Sequence, residues 1–200
     1  MSLAVSTNRG ATRRARRRKV SEAVDFVTYA SHLTLEHERL EAAGAVWAPH
    51  RLVAVAGPWN FPYAIPASGL VHAVAAGAAA ILKPAPQARA VAAALVAHLQ
   101  SAGAPEGLVQ LACTPDDEVG QYLITHPDVE LVMLTGGYET AELFTGWRPD
   151  LRLLGETSGK NSLVITQAAD IDLAIKDLVR SAFGHAGQKC SAASMAIIEA

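Results

Sequence analysis

Residues 51–84, RLVAVAGPWNFPYAIPASGLVHAVAAGAAAILKP, decide the fold. Arg51–Ala56 is a short apolar run with Val53 and Val55 at alternate positions, which reads as a strand. Pro58-Trp59-Asn60-Phe61-Pro62 follows as a rigid loop, because a proline at each end fixes φ. Ile65–Ala76 reads as a helix, and Ala79–Leu82 as a second strand stopped by Lys83-Pro84. Strand, helix and strand in about thirty residues is a βαβ unit, whose two strands lie parallel.

The same alternation continues outward. Ala88–Ala102 reads as a helix closed by Gly103, and Leu108–Ala112 as a strand. A helix over Asp117–Thr125 leads to a strand over Glu130–Leu134, and Thr135-Gly136-Gly137 opens a helix over Glu139–Trp147. Ser162–Ile165 reads as a strand and Asp170–Ala182 as a helix with Asp170 as N-cap. Upstream, Val24, Val27, Leu33 and Leu40 fall roughly on one face of a helix over Val20–Glu41. The expected class is α/β, a Rossmann-like parallel sheet with helices on both faces. Such sheets bind ligands at the carboxyl ends of their strands. The informative loops are therefore 57–62, 83–87, 113–116, 135–139 and 155–161, with Glu156 expected in a turn after a strand.

Composition agrees. The 200 residues are 50% hydrophobic and 18% charged, a chain built for burial. The net charge of -2 averages two unlike pieces: residues 1–19 carry seven Arg or Lys and no acid, while the other 181 hold the remaining ten against 19 acids, a net of -9. The basic run Arg13–Lys19 would suit an anionic partner. Without interleaved aromatics or a nucleic-acid-binding fold beside it, a disordered tail is the favoured reading, and a nucleic-acid partner is disfavoured. The apolar run Leu70–Leu82 has 13 residues, short of the roughly 20 that span a bilayer, so no membrane partner is expected. Cys113 and Cys190 make neither a disulfide scaffold nor a zinc motif, so a cytoplasmic location is expected.

Common nucleotide and hydrolase fingerprints are missing. No two glycines stand as G-x-G, Gly159-Lys160 lacks the earlier glycine of a P-loop, and Thr157 stands where a nucleophile elbow needs serine. Three polar residues remain. Cys190 lies among small residues beside Lys189, a setting that favours thiolate, although a lone cysteine is more often core. Cys113 is expected in the core at a strand end. Glu156 is bounded by glycines and, by itself, reads as a solvated carboxylate. Asn60 is a rigidly placed amide of the kind an oxyanion hole uses, or an ordinary turn residue. His185, five residues before Cys190, is read as a loop residue and not as a hydrolase partner.

Their order carries more. Pro58-Trp-Asn-Phe-Pro62, Lys83-Pro84, Thr135-Gly136, Glu156 to Lys160 and Gly187-Gln-Lys-Cys190, with 23 residues from Asn60 to Lys83 and 34 from Glu156 to Cys190, resemble the aldehyde dehydrogenase superfamily from about Val20 to Ala200. Thr135–Thr140, Glu156–Asn161 and Phe183–Ala192 look most like its glutamate-semialdehyde (1-pyrroline-5-carboxylate) dehydrogenase branch. The resemblance implies oxidation of glutamate γ-semialdehyde, a small-molecule aldehyde, to glutamate in proline catabolism. Cys190 would be the nucleophile, passing through a thiohemiacetal and a thioester. Asn60 would hold the oxyanion and Glu156 would be the general base. NAD is the implied cofactor, with NADP left open because Pro86 stands where many relatives carry a ribose-binding glutamate. Lys83 would bind the adenosine ribose. Pro58, Trp59 and Gly120 would line the cofactor cleft, with Thr135, Gly136 and Gly137 at the pyrophosphate. No metal is implied.

The resemblance also implies domains: 1–19 a basic tail, 20–158 an NAD-binding domain, 159–200 the beginning of a catalytic domain. Relatives continue far past the nucleophile, through an aldehyde-anchoring loop and the segment that makes the family oligomeric. The competing expectation is therefore a truncated, inactive fragment that at most binds dinucleotide.

Overall fold

The computed structural model describes residues 13–115 and 117–199, with side chains described from Val20 onward. The elements run α1 (Arg13–Ala42), β1 (Leu52–Gly57), α2 (Ala64–Ala75), β2 (Ala79–Pro84), α3 (Arg89–Ser101), β3 (Val109–Leu111), α4 (Glu118–Thr125), β4 (Leu131–Thr135), α5 (Tyr138–Trp147), β5 (Leu153–Glu156), β6 (Asn161–Ile165), α6 (Ile171–Phe183) and β7 (Ala193–Ile198). Short 3-10 turns stand at Pro86–Ala88 and Gly184–Gly187.

Five parallel strands form one sheet in the order β3-β2-β1-β4-β5. The reason is visible in β1, where every residue after Leu52 is buried. Val53 and Val55 face a core with Ala64, Ala67, Leu70 and Ala73 of α2 and Leu95 of α3. Ala54 and Ala56 face the opposite core, with Ile124 of α4 and Phe144 of α5. Alternate residues of one strand thus point into two apolar layers, as a doubly covered parallel sheet requires. Small residues let the layers close. A Cβ on Gly69 would come within 2.7 Å of Val55 Cγ1, so α2 lies almost on the strand.

The helix ends follow local chemistry. Gly77 and Gly103 adopt φ of +87° and +107°, and the residue after each donates back to the carbonyl of Ala73 or Leu99. These are Schellman closures, and they return α2 and α3 to the sheet. Asp117 and Asp170 accept from Val119 N and Leu173 N, capping α4 and α6, so the cap expected at Asp170 is present.

Several details differ from the sequence reading. The helix expected from Val20 begins at Arg13, so its first turns run through the basic segment; residues 1–12 lie outside the described ones. Leu153–Glu156 is a strand, paired in parallel with β4, and Glu156 is its last residue instead of part of a turn beyond it. Four residues containing a glycine are too short for a periodic signal. A second strand, β7, pairs in parallel with β6 across α6 and was also unforeseen. Cys113 is exposed, not core, because β3 ends at Leu111 and the chain has left the sheet.

Candidate active site

The strand order places a crevice by topology. From β1 the chain moves to one side through β2 and β3, then crosses to β4 and β5 on the other. The connections leaving β1 and β4 at their carboxyl ends diverge to opposite faces, which opens a cleft between them. A cleft of about 590 Å³ lies there. All ten residues singled out in the sequence line it: Pro58, Trp59 and Asn60 after β1, Lys83 at the end of β2, Gly120 in α4, Thr135, Gly136 and Gly137 after β4, Glu156 ending β5, and Cys190. Pro86, in the 3-10 turn after β2, lines it too.

The two ends of the cleft differ in character. At the sheet end, Lys83 is 7% exposed and is the one buried charged residue among those described. Gly120 is required beside it: a Cβ there would stand 2.4 Å from Pro115 O and 3.4 Å from Lys83 Cε. The Gly137 N-cap of α5 contributes no side-chain hydrogen bond, so a helix N-terminus without a side-chain cap borders the cleft. At the other end, Glu156 and Cys190 are both exposed. The Gly136 N–H donates to Glu156 O at 3.1 Å, which ties the β4 and β5 ends together.

The approach to Cys190 is strained. After α6, His185, Ala186 and Gly187 have φ of 60°, 57° and 69°, three successive left-handed residues of which only one is glycine. Each non-glycine residue there costs on the order of 1–2 kcal/mol, so neighbours must hold it. The Pro58–Pro62 loop supplies part of that hold. Asn60 Nδ2 donates to Gln188 O at 2.7 Å, and the Phe61 ring lies 5.9 Å from the His185 ring. Asn60 was expected to face a reacting oxygen; its amide is also a tether between two loops 128 residues apart. His185, read as a loop residue, lies in this tight turn with its ring against Phe61.

Beyond the turn, Ala192 N donates to Lys189 O at 3.1 Å, so residues 189–192 close on themselves with Cys190 at the bend. Asn161 Nδ2 donates to Cys190 O and, at 3.1 Å, to Ala192 O. Sequence reasoning passed over Asn161, Phe61 and Gln188 as site residues. Nothing local marks Asn161 beyond its place after Gly159-Lys160.

Away from the cleft, two pairs of polar groups tie elements together. At the amino ends of β1 and β4, the Arg51 guanidinium donates to Glu130 at 2.6 Å and Arg51 N at 2.9 Å. These bonds hold the Glu130 carboxyl below its ordinary range and push Arg51 up. Burial raises the Tyr63 hydroxyl, which meets His98 Nδ1 at 2.9 Å. Among the described residues no cluster of His, Cys, Asp and Glu could hold a metal ion, and no helix is long and apolar enough to cross a membrane.

Comparison with known proteins bears on this geometry. The model of the aldehyde dehydrogenase family matches residues 1–200. The 1-pyrroline-5-carboxylate dehydrogenase of Bacillus pumilus is 34% identical, over 89% of this chain and 38% of its own length. Proline utilization A of Corynebacterium freiburgense superposes with a TM-score of 0.84 at 48% identity, over 91% of this chain and 19% of that one. An NADP-dependent glyceraldehyde-3-phosphate dehydrogenase from Bacillus halodurans, complexed with NADP, gives 0.84 at 25% identity, over 93% of this chain and 42% of that one. The chain spans about 38% of the length of the curated relatives it matches.

Proposed function

The chain belongs to the aldehyde dehydrogenase family, and on that premise we propose that it serves the NAD-dependent oxidation of an aldehyde, glutamate γ-semialdehyde, to its carboxylate. One observation carries the reading. The ten candidate residues, spread from Pro58 to Cys190, line a single cleft at the carboxyl ends of the strands.

The cleft fits a dinucleotide. Its volume lies within the range of small-molecule sites, roughly 300–1,000 Å³. The α5 N-terminus and the backbone of Gly136 and Gly137 suit a pyrophosphate, and Lys83 suits a ribose hydroxyl. NAD is the first choice from the resemblance, and NADP stays open because no carboxylate stands at Pro86 to repel a 2′-phosphate. When bound, the nicotinamide supplies the hydride acceptor that the oxidation needs.

The rest falls to the chain's own residues. Cys190 Sγ, as thiolate, adds to the aldehyde carbon; a C–S bond forms and the carbonyl oxygen takes up the negative charge. The Asn60 amide and the Cys190 N–H stabilise that oxygen, and the Gln188 tether keeps the amide plane from turning away. Glu156 accepts a proton from the water that releases the acyl group from Cys190. The Rossmann-like sheet would form the cofactor domain, and β6 to β7 would belong to the catalytic one.

A second reading, dinucleotide binding without turnover, is favoured by the exposure of Cys190 and Glu156, which leaves the reacting atoms in water. One pair of measurements separates the two. Calorimetric titration with NAD and NADP should show binding in either case. NADH formation with glutamate semialdehyde, abolished in Cys190→Ala, is expected for the first reading. Binding without NADH formation selects the second, and turnover that survives Cys190→Ala removes the mechanism.

A further inference from the structure

Asn161 is the first residue of β6 and is half-buried. Its Nδ2 bridges two carbonyls of the Cys190 turn, Cys190 O and Ala192 O. The backbone around it is irregular in register: Asn161 pairs with Ala193 but Ser162 pairs with Met195, so Ser194 is the extra residue of a bulge. Ser194 Oγ donates to Asn161 O at 3.2 Å, and Ala193 N donates to Ser181 Oγ at 3.1 Å. The turn that presents Cys190 is therefore joined to the start of β6 through the amide of Asn161, and to α6 through Ser181.

The upstream side of the turn is the strained one, held by Asn60 and Phe61. The downstream side has Asn161. Two carbonyl oxygens converge on one amide nitrogen, which can serve both because it carries two hydrogens. Without that donor the Cys190–Ser191 peptide plane loses its tie to β6, whereas the Ala192–Ala193 plane keeps Ala193 N on Ser181 Oγ. The Cys190 carbonyl orientation sets ψ of Cys190, and hence where Sγ stands relative to the cleft.

We infer that Asn161 is a positioning residue for Cys190, acting through the backbone of residues 190–192 and touching neither substrate nor dinucleotide. The inference rests on the proposed role of Cys190 as nucleophile and deepens it. Asn161→Asp is the sharp test, since it keeps shape and replaces the donor with an oxygen that repels both carbonyls. Asn161→His can keep one N–H at the δ position, enough for one of the two carbonyls, and serves as a partial rescue.

The experiment is site-resolved alkylation of the full chain by iodoacetamide across pH 6–9, with exposed Cys113 as internal reference, beside urea unfolding of each variant. In Asn161→Asp the Cys190 rate relative to Cys113 should fall severalfold even at the alkaline end of the range, where ionisation is most complete and the added carboxylate's own effect on the thiolate is least. Asn161→His should recover part of it, and both variants should keep the wild-type unfolding transition. A wild-type Cys190 no faster than Cys113 overturns the nucleophile reading, and the positioning role falls with it. A fast wild-type Cys190 that stays fast in Asn161→Asp overturns the positioning role alone. Loss of rate that accompanies loss of the cooperative transition, equally in both variants, also overturns it, because Asn161 would then be a structural residue.

Discussion

The five-stranded sheet and the β6–α6–β7 unit are built from the same kind of sequence and end up differently. In the sheet, β1 is buried on both faces and α2 contributes five buried residues. In the smaller unit, α6 is strongly amphipathic, yet none of its residues is buried; Ile171, Leu173, Ile175, Val179 and Phe183 are all more than half exposed. Ile165 is the one apolar residue of β6, α6 and β7 that reaches the buried core. Periodicity determines where a helix puts its apolar side chains. It does not determine that anything covers them. The candidate site lies where the two regions meet, with its Lys83 end in the well-packed part and its Cys190 end in the exposed part.

The largest effect that would break this comparison lies in the sheet. Leu70 is fully buried between α2 and β1, so Leu70→Ala should destabilise the chain by about 2–5 kcal/mol in urea unfolding. A loss below about 1 kcal/mol would mean the layer is looser than its packing.

Gly120→Ala comes next. The added methyl meets Pro115 O, a backbone atom with little room to yield, so a loss of about 1–3 kcal/mol is expected. NAD affinity should weaken as Lys83 is displaced. A variant of wild-type stability and affinity would show that α4 can shift freely, contrary to the rigidity assigned to this end.

A smaller effect appears with pH. Hydrogen bonding from Arg51 depresses the Glu130 carboxyl in the folded state. A depressed acid contributes stability that is present above its unfolded value and lost as pH falls through the folded value. Acid unfolding followed by circular dichroism should therefore show a contribution that disappears below the ordinary glutamate range, and Glu130→Gln should remove that part of the slope. Arg51 is exposed and Glu130 only half-buried, so salt should weaken the effect. An acid limb unchanged in Glu130→Gln would detach this pair from the stability of the sheet.

The smallest effect belongs to α6. Ile175→Ser or Val179→Ser should change unfolding free energy by about 0.5 kcal/mol or less, because neither side chain is buried. A loss approaching that of Leu70→Ala, most simply one that grows with protein concentration, would reveal that this face is covered in solution.

Much of the fold was legible in the chain. The βαβ unit of residues 51–84, the Gly103 closure and the Asp170 cap depend on residues within a turn or two of one another. Strand β5 was not legible, since Leu153–Glu156 is too short for a pattern and is a strand only because β4 lies beside it. Cys113 shows the converse error: a small residue just after a strand looked like core, and the chain had already turned outward. For the site, residue types and order sufficed to select Asn60, Glu156 and Cys190. The same information could not show that Asn60 also holds Gln188 O, or that Asn161 holds Cys190 O.

What the sequence determined by itself is what local chemistry and order encode: an α/β chain, its family, and ten candidate residues in a set order along the chain. What only the tertiary structure decided is which of those loops meet. The β3-β2-β1-β4-β5 order brings Pro58, Lys83, Thr135 and Glu156 to one cleft, the Cys190 turn closes on it from the smaller unit, and the apolar face of α6 stays exposed. The physical reason is range. Caps, turns and periodicity act across a few residues, whereas a tether such as Asn60 to Gln188 exists only after long-range strand pairing has brought its two ends within hydrogen-bond reach.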